Sequence, residues 1–296
     1  MNDMPAKPQF DRTAEDLGNI VELGHVNVTI PDQSQATAYY LMGLGLTRDP
    51  YLMAGLENMW VNVGRGQFHL PTRGKQVVRG TTGLVLPDLE ALLKRLEYAK
   101  KFLEGTEYSY RIAGDVVETT CPWGNRIRCH APTPEKFGPM RLGMPYVEFD
   151  VPVGTDLAAI AKFYVEILGG IAGVSSDERG SYAWANTSGE SKVLYRESSR
   201  PQPDYDGHHI QITLADFSGP HKKLQERGLI VEESDQHQYR FLDLVDVDTN
   251  KPLFRIEHET RSMRHPMFNR VYVNRNPDMS NRNFVPGYEV GLWALN

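Results

Sequence analysis

Cysteine is scarce in this sequence: Cys121 and Cys129 are the only two in 296 residues. Two cysteines are too few for a disulfide framework, and their spacing matches neither a CxxC motif nor a zinc ribbon, so both thiols are expected to be reduced. No apolar run approaches the roughly 20 residues of a membrane-spanning helix. The first ten residues also lack the apolar segment of a secretory signal, which predicts a cytoplasmic location.

An excess of positive charge is missing as well. The formal net charge is −6, and no polybasic run occurs, which argues against nucleic acid and membrane surfaces as partners. With 40% hydrophobic and 24% charged residues, the composition is that of a globular protein. The length suits two domains of ordinary size. The expected partner is therefore a small-molecule substrate, and assembly into a homo-oligomer stays open.

The stretch at residues 21–30 is an amphipathic strand with a histidine on its polar face. Val26, Val28 and Ile30 alternate with polar residues, among them His25 and Asn27. This period of two predicts a strand with one face on a hydrophobic layer and the other on a polar space.

A strand–helix–strand–strand–strand (βαβββ) unit recurs four times along the chain. The four opening strands begin near Val21, Thr81, Tyr146 and His209, and each is followed by a helical pattern and further strand-like runs. The first and third units align at a constant offset, as Trp60 and Trp184 show. Such internal repetition is strong evidence of architecture. We therefore predict four βαβββ modules.

Several motifs recur in a fixed order and spacing across the modules: Gly24-His-Val-Asn-Val, the paired-aromatic helices, Gln67-Phe-His-Leu, Gly207-His-His-Ile-Gln-Ile and Leu253-Phe-Arg-Ile-Glu. With these motifs, the four modules resemble the vicinal oxygen chelate superfamily, which includes glyoxalase I, fosfomycin and bleomycin resistance proteins, and extradiol dioxygenases. This resemblance implies an α+β fold in which the four βαβββ modules pair into two curved mixed-sheet barrels. The predicted segments are a lead-in (1–20), two domains of two modules each (21–135 and 143–262), a linker (136–142) and a C-terminal tail (263–296).

The superfamily places metal ligands on the first and last strands of the two modules that share a cleft. Strand phase then assigns inward positions to each module in turn: His25 and His69, Thr81 and His130, Tyr146 and Val193, and His209 and Glu257. His209 is preferred to His208 because Ile210, Ile212 and Leu214 should face the helix.

The pairing of the modules decides which cleft holds a metal. If consecutive modules pair, the second cleft lacks the two histidines and one carboxylate of the extradiol dioxygenases, because Tyr146 is at the position of the first histidine. If the first pairs with the fourth, His25, His69, His209 and Glu257 share one cleft, and the other cleft has almost no ligands. We favour this second pairing. It resembles the hydroquinone-cleaving branch, whose fourth module also begins with two histidines.

Two neutral imidazoles and a carboxylate suit a divalent metal, with Fe(II) preferred and Mn(II), Zn(II) or Ni(II) as alternatives. His69 is either a fourth ligand or a base beside the site, and His208 is a further catalytic candidate. The residues predicted to bind substrate are Arg128, Arg255, Tyr146, Glu148, Asn27 and Gln211. The two arginines would serve an anionic group, although ion pairs between modules would explain them equally.

Three functions remain open from sequence. The first is a ring-cleaving dioxygenase acting on a small chelating substrate. The second is a glyoxalase-like lyase or isomerase that uses Zn(II) or Ni(II). The third is a metal-free protein that binds a small aromatic molecule, as resistance proteins of the superfamily do. Metal content separates the third function from the other two.

Overall fold

The computed structural model describes residues 10–52, 57–275 and 281–282. The predicted lead-in and tail fall partly outside these ranges. Each of the four predicted modules is present as one strand, one helix and three further strands. Among the described residues, every helix is too short or too polar to cross a lipid bilayer.

The first two modules occupy the first half of the chain. The first contains β1 (Ile20–Asn27), α1 (Gln33–Ala36) with its π-helical continuation (Thr37–Gly43), β2 (Thr47–Arg48), β3 (Asn58–Val63) and β4 (Gly66–Pro71). The second contains β5 (Gly80–Val85), α2 (Leu89–Ala99), β6 (Ser109–Ala113), β7 (Val116–Thr120) and β8 (Arg126–His130). A short helix, α3 (Pro134–Phe137), leads to the second half.

The last two modules repeat this order. The third contains β9 (Gly143–Pro152), α4 (Leu157–Glu166), β10 (Ala172–Asp177), β11 (Gly180–Asn186) and β12 (Lys192–Ser198). The fourth contains β13 (His209–Leu214), α5 (Ser218–Glu226), β14 (Ile230–Asp235), β15 (Gln238–Val245) and β16 (Pro252–Ser262). The strand β16 extends five residues beyond the predicted Leu253–Glu257.

Three aspartates explain where the main helices begin. Asp32 accepts hydrogen bonds from the backbone N–H groups of Ser34 and Gln35, and Asp88 caps α2 in the same way. The carboxylate of Asp156 accepts from the N–H of Ala159 at the start of α4. A side chain of this kind satisfies donors that the first helical turn leaves free, so it fixes the strand-to-helix turn of the module.

The strands form two eight-stranded sheets, and each sheet combines modules from both halves of the chain. The first sheet has the order β14-β15-β16-β13-β1-β4-β3-β2, and the second has the order β10-β11-β12-β9-β5-β8-β7-β6. The pairing of the first module with the fourth is thus confirmed. The fold is α+β and both sheets are mixed, as predicted. The sheets are curved and open at both edges, however, instead of closing into barrels. The limits of the two predicted domains stay a prediction.

Opening strands of opposite modules meet at the middle of each sheet. In the first sheet β1 runs antiparallel to β13, and in the second β5 runs antiparallel to β9. Val26 in β1, and Val28 and Ile30 just after it, are fully buried core residues, as the alternation predicted, although the strand ends at Asn27. Its polar face is also shielded from water, with His25 only 1% exposed. A buried polar face needs partners from within the protein.

A buried hydrogen-bonded chain joins the two sheets. The hydroxyl of Tyr164 on α4 lies 2.6 Å from the hydroxyl of Tyr195 on β12 and 2.7 Å from Nε2 of His258 on β16. The ring of Phe241 stacks on His258 at 4.5 Å. Since all four side chains are buried, these bonds satisfy polar groups that would otherwise be costly inside the core.

The C-terminal segment after β16 packs on the first module over its described residues. Arg270 pairs with the buried carboxylate of Asp49 at 2.7 Å. The side chain of Asn274 donates to the carbonyl of Gly64 and accepts from its N–H. The segment therefore covers one end of the first sheet. Residues 276–280 and 283–296 of the predicted tail lie outside the described residues.

Both thiols are free and completely buried. Burial raises the pKa of Cys129 to about 12 and also raises that of Cys121, so neither is a thiolate at neutral pH. We expect Ellman's reagent to modify neither cysteine in the native protein at pH 7.5 and both after unfolding in urea. Rapid labelling of the native protein would contradict this packing.

Candidate metal centre

Three buried side chains from three strands bring their ligand atoms together on the first sheet. They are His25 on β1, His209 on β13 and Glu259 on β16, and one ligand atom of each lies within 4.8 Å of the others. Their exposed fractions are 1%, 6% and 3%. Over the part of the chain that the structure describes, this is the single group of three histidine, cysteine or acidic side chains so arranged.

The register of three neighbouring strands builds this cluster. His25 lies opposite Gln211 in the antiparallel pair, and Gln211 lies beside Glu259 in the parallel pair of β13 with β16. His209 is two residues before Gln211, so its side chain emerges on the same face. The cluster therefore depends on contact between the first and fourth modules.

Three imidazole nitrogens in and beside the cluster have no hydrogen-bond partner. The Nε2 atoms of His25, His69 and His209 are buried and have no hydrogen-bond partner. A buried polar atom left without a partner costs about 1–3 kcal/mol, so three in one place call for an explanation. A bound metal ion would provide one, because it would accept the lone pairs of these nitrogens. The donor set thus fits a divalent cation.

The protonation states agree with this assignment. Burial lowers the pKa of His25 well below its ordinary value, even with the Glu259 carboxylate nearby. Burial and the neighbouring His209 lower the pKa of His69 to about 3. Both imidazoles are therefore neutral at pH 7. A neutral imidazole has the free lone pair that a metal ligand needs.

Glu259 supplies the negative charge of the cluster. Burial would raise the pKa of its carboxyl, but the neighbouring histidines and Arg261 outweigh burial and hold the pKa well below its usual range. Its two oxygens lie 2.7 Å from Arg261 and 2.7 Å from Arg240. These ion pairs hold the carboxylate in place beside the imidazoles, as partners of metal ligands commonly do.

The sequence predicted Glu257 as the carboxylate, and the structure places Glu259 in the cluster instead. Glu257 is on the same face, where it bonds Arg240 at 2.8 Å and lies 3.3 Å from Nδ1 of His209. The physical reason is the greater length of β16. Pairing with β13 and β15 carries this strand to Ser262, so its inward face includes Glu259 and Arg261 beyond Glu257. Arg240, on β15, gave no pattern in the sequence.

His69 lies at the edge of the cluster and is held by Trp60. Its ring stacks on the indole of Trp60 at 3.7 Å, and its centroid is 5.6 Å from that of His25. The same indole makes an edge contact with His25 at 5.1 Å. Trp60 therefore fixes two imidazoles in one orientation. His69 is outside the group of three, so its predicted roles as ligand or base stay predictions.

His208 faces away from the cluster, toward the interface between the sheets. Its Nδ1 bonds Asp206 at 2.7 Å, and its ring stacks with Phe149 of the second sheet. Asn27 and Gln211, in contrast, lie beside the cluster, opposite His209 and His25 respectively. Two of the six predicted substrate-binding residues are thus near the candidate metal.

The other four predicted substrate-binding residues are elsewhere. Arg128, Tyr146 and Glu148 line a cavity on the second sheet. Arg255 is exposed and pairs with Asp243 at 2.8 Å. The structure therefore divides the predicted substrate-binding residues between two clefts and the protein surface.

Comparison with solved structures identifies proteins of the same fold. One is a protein of Bacillus subtilis provisionally assigned as a dioxygenase, at a TM-score of 0.54 and 13% identity, covering 84% of this chain and 87% of that one. Another is glyoxalase I of Zea mays, at a TM-score of 0.53 and 14% identity, covering 81% of this chain and 92% of that one. No family model matches the sequence, and no curated protein matches it. At these identities the likeness concerns the fold.

Proposed function

We propose that this chain, which has the fold of the vicinal oxygen chelate superfamily, is a metal-dependent enzyme acting on a small molecule with two adjacent oxygen atoms. The metal ligands would be His25, His209 and Glu259. The activity that the site supports best is ring cleavage of a catechol-like or hydroquinone-like substrate with Fe(II) as the metal. Mn(II) is an alternative metal for the same reaction.

One observation supports this proposal most directly: two buried imidazoles and one buried carboxylate have ligand atoms within 4.8 Å of one another. Two histidines and one carboxylate on one face of an octahedral ion leave three positions open, as in non-haem Fe(II) oxygenases. Two open positions suit a chelating substrate and the third suits O2. When bound, Fe(II) would supply the oxidative chemistry.

The surrounding residues orient the ligands and balance their charge. Glu257 lies beside Nδ1 of His209, so this nitrogen would carry the ring proton and donate a hydrogen bond to the Glu257 carboxylate. Nε2 of His209 then keeps the lone pair for the metal. Arg240 bonds both Glu257 and Glu259 and fixes the distance between them. Asn27 and Gln211 would contact the substrate oxygens.

The unpartnered Nε2 of His69 favours a second candidate function. As a fourth ligand, His69 would leave two open positions, which suits a glyoxalase-like lyase or isomerase. Zn(II) or Ni(II) would then polarise a substrate carbonyl. As a base beside the metal, the neutral imidazole of His69 would instead accept a proton from a substrate hydroxyl.

Metal content is the first test. We expect protein purified without chelators and without a histidine tag to contain about one divalent ion per chain, because the three ligands converge on one position. His209→Ala should lose it. The matched control is His221→Ala, which removes a histidine on α5 that is bonded to Glu233 and is not part of the cluster. Plasma mass spectrometry measures the content of all three proteins.

Substrate tests then separate the functions. Uptake of O2 with hydroquinone or catechol after loading with Fe(II) supports the dioxygenase. Turnover of the hemithioacetal of methylglyoxal and glutathione with Zn(II) or Ni(II) supports the lyase. Less than about 0.1 ion per chain, unchanged in His209→Ala, would reject both enzymes and leave the metal-free binding protein. The cytoplasmic location and a homo-oligomeric state are further proposals, which cell fractionation and light scattering would test.

A further inference from the structure

A cavity of about 600 Å³ lies on the second sheet, on the face that corresponds to the candidate metal centre of the first. Its walls include Arg128, Tyr146, Trp184, Leu194 and Arg196. A volume of this size suits a small organic molecule. Across the described residues, the group of three metal-binding side chains is in the first sheet and none is in this cavity.

The strand registers align the two clefts residue by residue. In the first sheet His25 lies opposite Gln211, which lies beside Glu259. The same path in the second sheet leads from Tyr146 to Gly83 and on to Arg128. The position of His25 is therefore taken by Tyr146, and that of the ligand Glu259 by Arg128.

A second path gives the remaining equivalents. Trp60 lies opposite His69, and Trp184 lies opposite Leu194. The apolar Leu194 thus occupies the position equivalent to His69, and Trp184 occupies the position equivalent to Trp60. Val193, which the constant offset between the modules predicted as the equivalent of His69, is buried in the core. The observed register makes Leu194, one residue further along, the equivalent of His69.

The charges of the two clefts are reversed. In the first cleft Glu259 pairs with Arg240 on the neighbouring strand, and in the second Arg128 pairs with Glu118 at the matching position. A guanidinium therefore occupies the place of the metal-binding carboxylate. This fixed cation repels a metal ion and attracts an anion.

The tyrosine beside this guanidinium can donate to a ligand when Nε2 of His130 carries the ring proton and donates to the phenol oxygen. The hydroxyl of Tyr146 lies 2.8 Å from Nε2 of His130. Burial raises the pKa of Tyr146 to about 12 and lowers the pKa of His130 to about 4, so the phenol is protonated and the imidazole neutral at pH 7. Gly83 makes room for the phenol, because a Cβ there would collide with the ring of Tyr146.

The ion pairs of the cavity leave Arg128 with a single carboxylate, which it shares. Glu118 pairs with Arg128 and also with the exposed Arg111 outside the lining, while Glu148 pairs with Arg179 and Arg196, and Asp177 pairs with Arg196. The positive charge at the position of Glu259 is therefore local to Arg128, and the lining as a whole has no excess of positive charge. The other charged groups of the lining offset one another or face water. Lys136 pairs with Asp115, Glu190 lies near Arg65, and Lys192 and Glu178 are exposed.

We propose that this cavity is a metal-free binding site for a small aromatic or apolar carboxylate. The carboxylate would accept hydrogen bonds from Arg128 and Tyr146, and the apolar body would pack on Leu194 and Trp184. A guanidinium is well suited to this task because its planar donors match the two oxygens of a carboxylate. The site is separate from the metal centre and does not depend on it.

Titration calorimetry with benzoate tests this proposal, with benzamide as the uncharged probe of the same shape. Benzoate should bind once per chain and at least about tenfold more tightly than benzamide, since a hydrogen bond between two charged groups is roughly twice as strong as one between neutral groups. Arg128→Gln should weaken benzoate by at least about tenfold for the same reason. Glu118→Gln should strengthen the binding of benzoate, because it removes the carboxylate that competes with benzoate for Arg128. Arg255→Gln, at an exposed arginine, should leave it unchanged.

The metal content of every variant keeps this proposal separate from the proposed function. Arg128→Gln should retain the metal of the parent protein, and the apo-protein should still bind benzoate. Equal affinity for benzoate and benzamide, no binding of benzoate, or binding unaffected by Arg128→Gln would each overturn the proposal. If Arg128→Gln does not fold, Tyr146→Phe decides instead, since it removes one donor from the carboxylate and should weaken benzoate but not benzamide.

Discussion

Glu259→Gln is expected to lower the affinity for a divalent metal ion by at least about 100-fold, and Glu257→Gln by only about tenfold. Glu259 has an oxygen beside both imidazoles of the cluster, whereas Glu257 faces the far nitrogen of His209. Loss of the Glu259 charge would also leave Arg261 without this carboxylate and Arg240 with Glu257 alone, so more uncompensated positive charge would repel the metal. Calorimetric titration of the apo-proteins with Mn(II) measures the two effects.

The two variants are matched controls for each other, because both remove one carboxylate charge from the same strand and keep its volume. A larger loss in Glu257→Gln than in Glu259→Gln would show that Glu257 is the ligand, as the sequence predicted. Circular dichroism and thermal unfolding of both apo-proteins establish that each is folded. His25→Gln gives an independent measure, since it removes a ligand without changing the charge.

Separating the chain into residues 1–138 and 139–296 is expected to leave neither fragment folded by itself. Each fragment would hold two modules whose opening strands lack their central partners, β13 for β1 and β9 for β5. The unpaired strands would expose backbone donors and acceptors together with the apolar faces that pack around them. Expressed alone, each fragment should aggregate or show no cooperative unfolding.

Co-expression of the two fragments is the control. They should associate into a complex with the circular dichroism spectrum of the intact chain, because every strand then finds its neighbour. The break lies at Gly138 and Pro139, in the linker between α3 and β9, so it interrupts no strand. Cooperative unfolding of an isolated fragment would contradict the sheet order and support independent domains of consecutive modules.

The module repeat could be predicted because it is a property of local sequence. Alternation of apolar residues, capping aspartates and glycines after helices specify a strand, a helix and three strands wherever they occur. The strands β1, β5 and β13 begin within one residue of the predicted Val21, Thr81 and His209. The predicted end of β16, at Glu257, was five residues too early. Its last half pairs on both sides, and that pairing extends a strand whose own sequence of charged residues gives no strand pattern.

The sequence by itself determined that His25 and His209 point away from the apolar layer, because the period of a strand assigns alternate residues to opposite faces. It did not determine which carboxylate joins them, since Glu257 and Glu259 share a face and differ only in register. The tertiary structure decided this point, by setting β16 beside β13 so that Glu259 aligns with Gln211. It also decided that Arg128 takes the equivalent place in the second sheet. Register depends on contacts between strands far apart in sequence, and such contacts leave no pattern within either strand.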